Sequence, residues 1–518
     1  MEKTNSRTKN SVRNIAFAVT SYAIQVLLTF IIRVVFLRVF AVDYLGINTL
    51  FANILTILAV VESGFGAAMV FALYKPMAEN NEEEVRQLIS LYKKWYKIIA
   101  FIILGIGILI TPLLPFLIKD FNNIDLNLYL IYFFFLINSF VTYFTAHRRS
   151  LFYADQRNDL ESKINSIAQC TYACLQLIAI LVLKNFYVYC ATAGLNNLFI
   201  NLLITIVTNK KYKKLLEKPE KKLDEEKYKD IKKNVKALFL HRIGGIVLSG
   251  TDGLIMSAFV GLVLVGKYSN YLMIVTCLNS VINMCLTAIK GSVGNSIATN
   301  DSEQNLKLFN KLNCAYLFII SFCSVCLINL SNPFVSTIFG KDLLLDYFTV
   351  IIISINFYLF NVRQLLVVFK DCKGLFWENR LSPVVESLIN IIASLIFVRF
   401  FGFAGVLMGT ILSNICMPLW NEPYTLNKHY FKRSNFKYLL RLGIYTVLTT
   451  ISSFITYFAC MWIPDVSILS LIVKFLLCGV VALTSTLALF MVLPDFRGLI
   501  KTFIIFVKNK LKNKQTSN

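Results

Sequence analysis

Seven ionisable residues stand inside long apolar runs of this 518-residue chain: Arg33, Glu62, Arg242, Asp252, Arg363, Glu386 and Lys474. A charge surrounded by hydrocarbon is costly, so each must reach an interface, pair with an opposite charge, or face water. Arg242, Glu386 and Lys474 can reach an interface or join an ion pair. Arg33, Glu62 and Arg363 lie deeper, and for them a water-filled cavity is the expected setting. Guanidinium groups at several depths suit an anionic head group, because their fork matches phosphate oxygens. Arg33, Glu62, Arg242, Asp252 and Arg363 are therefore the expected substrate-binding cavity charges. Lys474 is the candidate for a lipid groove. Arg33 lies towards the outer side and Arg363 towards the inner, with Glu62 between them, so the two arginines could pass an anionic head group from one depth to another. Glu62 or Asp252 could bind a coupling proton or sodium ion. An ion pair with an arginine is equally open, and no other cofactor is expected.

Other reactive residue types form no site. The twelve cysteines lie mostly within apolar runs, where a thiol acts as a small hydrophobe. Cys323-Ser-Val-Cys326 has redox or metal-site spacing but no second ligand pair, and the three histidines fall in separate segments. No metal or catalytic residue is expected. Gly261-Leu-Val-Leu-Val-Gly266-Lys267 resembles the start of a phosphate-binding loop, but Tyr268 stands where Ser or Thr should meet magnesium. Gly64-Phe-Gly66-Ala-Ala68 reads as a close helix-packing face.

The elements that must carry these residues are membrane helices. The chain is 57% hydrophobic and 16% charged, with a mean hydropathy of +0.64. Its apolar runs are long enough for a hydrocarbon core of about 30 Å. Strand alternation is absent, so the backbone must close its hydrogen bonds within helices. About fourteen spans are expected: 15–39, 46–74, 95–118, 128–146, 164–183, 187–207, 237–260, 268–289, 312–330, 345–369, 384–398, 403–419, 438–462 and 466–493. The net charge of +23 could suggest nucleic acid, but its distribution excludes that reading. With the N-terminus inside, the outer loops hold only Arg38, Lys119, Lys184, Lys267, Lys341 and Arg399 of the 52 basic residues. Both termini are thus expected in the cytoplasm. The twelve-lysine stretch 209–236 is expected to follow the anionic membrane surface.

Shifting the chain by 220 residues aligns Gly46 with Gly266, Ile54 with Ile274, Thr56 with Thr276 and Asn80 with Asn300, among ten identities over positions 46–88. Spans one to six would then correspond to seven to twelve, a parallel repeat of the kind transporters use. The expected fold class is an all-α polytopic membrane protein. Residues 1–208 form one six-helix lobe, 209–236 a basic cytoplasmic linker and 237–436 a second six-helix lobe. Residues 437–518 hold two extra helices and a basic cytoplasmic tail. The extra helices should pack outside the lobes and offer a groove to a long lipid tail.

Several runs carry a family resemblance. They are Tyr44-Leu-Gly-Ile-Asn-Thr-Leu-Phe-Ala-Asn-Ile-Leu, Val61-Glu62-Ser-Gly-Phe-Gly-Ala-Ala, Leu73-Tyr-Lys-Pro-Met-Ala, Asn332-Pro-Phe, Asn356-Phe-Tyr through Arg363, Gly374-Leu-Phe-Trp-Glu-Asn-Arg380 and Trp420-Asn-Glu-Pro-Tyr424. They resemble the Wzx-type bacterial polysaccharide flippases of the multidrug/oligosaccharidyl-lipid/polysaccharide exporter superfamily. The resemblance implies two six-helix lobes, often with two more helices. It also implies translocation of an undecaprenyl-diphosphate-linked oligosaccharide to the outer leaflet of a bacterial cytoplasmic membrane. The partners implied are that lipid, membrane lipids, glycosyltransferases and a polysaccharide polymerase. A membrane potential would favour outward movement of an anion by about 2.3 kcal/mol per charge per 100 mV. A drug or metabolite antiporter of the same superfamily, or a membrane polymerase, are the alternatives. The first should have a more acidic or apolar cavity, and the second a substantial outer loop.

Overall fold

The computed structural model describes residues 2–62, 65–119, 121, 124–155, 157–221, 223–375, 377–464 and 467–501. Side chains at 2–19, 21, 67, 158, 234, 236–244 and 246–249 lie outside that description, as does the basic tail beyond 501. The described residues are helical, in the order α1 Glu2–Val39, α2 Val42–Leu58, α3 Phe65–Ala78, α4 Glu82–Ile110, α5 Leu128–Thr142, α6 Ala146–Ala154, α7 Asn158–Leu177, α8 Phe186–Lys211 and α9 Glu225–Phe259. Then follow α10 Leu262–Thr299, α11 Ser302–Ile338, α12 Tyr347–Val362, α13 Gln364–Lys373, α14 Ser382–Cys416, α15 Pro418–Leu426, α16 Asn435–Cys460 and α17 Ile468–Phe490.

Eleven segments among the described residues are long and apolar enough to span, and α5 with α6 makes a twelfth that bends by 45°. Two features account for the fourteen expected spans. Helix α9 carries the seventh but has most of its apolar side chains outside the description. Helix α14 is a hairpin reversing at Gly402 (φ 55°, ψ −130°). Ser394 Oγ donates to the Val406 carbonyl at 3.1 Å and Asn390 Nδ2 to Thr410 Oγ1 at 3.1 Å, as antiparallel arms require. Large apolar side chains such as Leu109, Phe116, Leu202, Phe400 and Leu476 are exposed. Such a surface is at home in lipid rather than water. The chain is a multi-pass, all-α membrane protein.

The chain forms two compact units, Met1–Gly266 and Lys267–Asn518. In the first, an aromatic core joins Phe36, Phe51, Tyr132 and Phe152. Helix α9 packs on α2, where Gly253 meets the Asn53 side chain and Gly250 meets Ile57. The start of α10 crosses the start of α2. A Cβ at Gly46 would collide with the Leu262 carbonyl, and one at Gly266 with the Val42 carbonyl. The glycine-rich run 261–267 therefore lies in a helix crossing, with Gly261 (φ 112°) just before α10, and is no phosphate loop.

The lysine-rich stretch after α8 is held on the first unit. Glu83 accepts the backbone N–H groups of Glu220 (2.7 Å) and Lys221 (3.1 Å). Arg86 donates to the Lys214 carbonyl, and Lys227 pairs with Glu84. The acidic first turn of α4 supplies these local anions.

In the second unit the core centres on Phe309, Phe357, Phe369 and Phe490. Helices α16 and α17 pack on each other and along α11. The buried stripe Leu442, Tyr445, Thr449, Ser452, Thr456 and Cys460 recurs every three or four residues. Hydroxyl pairs stitch this interface: Thr449 with Ser321 at 2.6 Å, and Ser452 with Ser485 (2.7 Å) and Thr486 (2.9 Å). Small polar residues are the usual adhesive between helices in lipid.

Candidate functional site

A cavity of about 800 Å³ opens in the first unit. It forms where two helices break. Helix α2 ends at Leu58, a 3-10 turn carries Ala59–Glu62, and α3 starts at Phe65. Such breaks often mark functional sites. Phe65 is held by Trp95 (4.9 Å) and Tyr96 (5.4 Å), which fixes the Glu62 turn against α4. The second break is the bend between α5 and α6. Thr145 Oγ1 donates to Asn201 Oδ1, and Asn201 Nδ2 returns a bond to the Val141 carbonyl at 2.8 Å. Arg148 anchors α6 to α8 through Thr208 and Asn209. Its neighbour Arg149, on another face of α6, turns into the cavity.

The lining brings Glu62, Arg149 and Glu161 together with Tyr74, Tyr96, Tyr143 and Tyr153. Glu62 lies beside Tyr143 and feels the charge of Arg149. Glu161 lies beside Tyr153. Arg149 Nε is buried with no hydrogen-bond partner among the described residues. Two carboxylates, one guanidinium and four phenols around an open volume can bind a polyhydroxylated ligand. The carboxylates accept from hydroxyls, the arginine donates, and the rings supply flat apolar faces.

Arg33 lines a different and smaller cavity of about 210 Å³ between α1, α2, α7 and α8. Thr29, Asn48, Gln169, Tyr172, Gln176 and Tyr189 are its polar walls. Among the described residues of that lining, Arg33 carries the charge.

Arg363 has other surroundings than the water-filled cavity expected for it. It sits at the break between α12 and α13, 11% exposed. Its Nη2 meets Glu386 Oε1 and its Nη1 meets Glu422 Oε1, both at 3.3 Å. Lys370 reaches Glu422 at 3.7 Å. Two cations and two anions make a neutral cluster, each side chain nearly enclosed. Glu386 belongs to this cluster rather than to an interface. Lys474 is buried and donates to the Ile463 carbonyl, in the turn between α16 and α17, at 3.1 Å. Asp252 is half-buried on α9. The side chain of Arg242 lies outside the described residues. Sequence reasoning missed Arg149, Glu161, Lys370 and Glu422.

A family model described as polysaccharide biosynthesis protein matches residues 11–289, more than half of the chain. The chain belongs to this family. No curated protein matches it by sequence. Among solved structures, an inward-facing multidrug-resistance MATE transporter of the MOP superfamily shares 14% identity over 78% of this chain and 94% of its own, with a TM-score of 0.66. The lipid II flippase MurJ, in an inward closed conformation, shares 15% identity over 94% of this chain and 100% of its own, also with a TM-score of 0.66. A MOP-superfamily transporter from Pyrococcus furiosus shares 14% identity over 82% of this chain and 97% of its own, with a TM-score of 0.51. At these identities the likeness concerns the fold, which is that of MOP-superfamily transporters.

Proposed function

We propose that this protein moves an undecaprenyl-diphosphate-linked oligosaccharide from the inner to the outer leaflet of a bacterial cytoplasmic membrane, with both termini in the cytoplasm. The observation that carries the reading is its membership of the polysaccharide biosynthesis family, joined to a cavity whose chemistry fits sugars. The Glu62–Arg149–Glu161 cavity takes the saccharide. Its carboxylates and phenols bind hydroxyls, and the guanidinium of Arg149 faces the ligand. Arg33, in a pocket walled by amides and hydroxyls, takes a phosphate of the linkage. The protein then acts as a transporter rather than an enzyme, beside glycosyltransferases and a polymerase. Glu62 is the candidate group for a coupling proton or sodium ion.

The test is reconstitution of the full chain in liposomes loaded with such a lipid. Translocated sugar is counted by its exposure to an external lectin. Protein-dependent exposure supports the reading, and exposure equal to that of empty liposomes overturns it.

One observation favours a second reading. The larger cavity holds two carboxylates to one arginine, which also suits an organic cation and hence a drug or metabolite antiporter. Cation-driven uptake of a fluorescent cationic dye by the same liposomes, without lipid translocation, would establish that alternative.

A further inference from the structure

The inner end of the second unit carries a basic cavity that the transport reading does not use. It measures about 470 Å³ and lies between the start of α11, the start of α16 and the turn after α17. Lys432, Arg433, Lys437 and Arg441 gather on its rim. Lys432 adopts a left-handed conformation (φ 52°), which ends the turn of Asn427–Phe431 and sends the next cations to the mouth. Arg441 is paired with Asp495 at 3.2 Å. Lys432, Arg433 and Lys437 have no carboxylate partner among the described residues. Deeper in, two polar atoms of the lining, Asn313 Oδ1 and Tyr438 Oη, are buried without a hydrogen-bond partner. The wall then turns apolar at Phe309, Leu317 and Leu442.

We infer that this cavity binds the phosphate head group of an anionic membrane phospholipid. Three cations without a carboxylate partner among the described residues call for an anion. Charge gives way to apolar surface along one helix, α16, over about two turns, or about 11 Å. That gradient copies the change from head group to acyl chain and has no use for a wholly soluble anion. The cluster of lysine and arginine also assigns this end to the cytoplasmic leaflet, where basic pockets between helices meet anionic head groups.

The probe is phosphatidylglycerol, added to the purified full chain in neutral detergent, with bound lipid counted by native mass spectrometry. Inorganic phosphate and water-soluble glycerol phosphate are run beside it. The expected result is a retained phosphatidylglycerol molecule, with binding on the order of a hundredfold weaker in the triple variant K432Q/R433Q/K437Q. The control K213Q/K214Q/K218Q should bind as the parent does. Equal loss in both variants would reveal diffuse attraction and overturn the site. Binding of glycerol phosphate as tight as that of the diacyl lipid would make this a soluble-anion site and likewise overturn it. A photoreactive phosphatidylglycerol on the unaltered protein gives an independent reading. Labelled peptides from 306–317 and 432–445 support the inference, and labelling confined to other segments refutes it.

Discussion

Arg149 and Arg363 are both guanidinium groups within a membrane protein, yet the same substitution should affect them differently. Arg149 lines an open cavity, so Arg149→Gln removes a ligand contact and leaves the fold intact. A hydrogen bond to a charged group contributes about 1.5–3 kcal/mol, so translocation should fall by about ten- to a hundredfold at normal protein level. Arg149→Lys should restore part of it. Initial rates in the lectin assay check both, and unchanged transport by Arg149→Gln would remove Arg149 from the site. Arg363→Gln instead strands Glu386 in an enclosed site and leaves Glu422 with Lys370 alone. Losing one partner of a buried pair costs about 3–5 kcal/mol, so the melting temperature of the purified protein should drop. An unchanged melting temperature would show that water already reaches these carboxylates. Sequence could find Arg363, because it stands in an apolar run. Arg149 was hidden because its run had already ended, and nothing at Tyr143–Thr145 announces the bend that carries the next turn back towards Glu62. Lys370 and Glu422 were hidden in the same way, since their partners are distant in sequence and become neighbours only in the fold.

At the scale of elements, glycine marks both the reversals and the closest crossings. Gly402 holds φ and ψ that side chains resist, so Gly402→Ala should cost about 1–3 kcal/mol in the α14 hairpin. Gly46→Val should cost at least as much, because the added atoms meet the Leu262 carbonyl rather than a yielding side chain. Thermal unfolding of the two variants beside the parent measures both effects. A Gly46→Val protein as stable as the parent would mean that α2 and α10 do not cross this closely in the membrane. The hairpin was legible because two apolar stretches, 384–398 and 403–419, flank Arg399 and Gly402. The break at Glu62 was not, since 46–74 reads as one continuous apolar helix. Only the neighbouring glycines hint that it bends.

For the whole molecule, hydropathy and basic-residue placement revealed the spans, because both reflect the energetics of the bilayer itself. Packing partners were less accessible. Helices α16 and α17 read as additions outside a lobe, yet they cover the buried face of α11 through hydroxyl pairs and shared apolar contacts. A chain truncated after Arg433 should therefore be lost from the membrane or melt well below the parent. Normal abundance and thermal stability of the truncated protein, with transport alone abolished, would show that the pair serves only the substrate. The crossing of α2 with α10 carries a consequence for descent. Val42 faces Gly266 while Gly46 faces Leu262, and each residue differs from its counterpart by the same 220 positions. This is one contact made twice with the roles exchanged, as in a homodimer. A half-length ancestor with a single copy of that stretch would already have had a surface complementary to itself. Fusing two such genes would have preserved the association and made it independent of protein concentration.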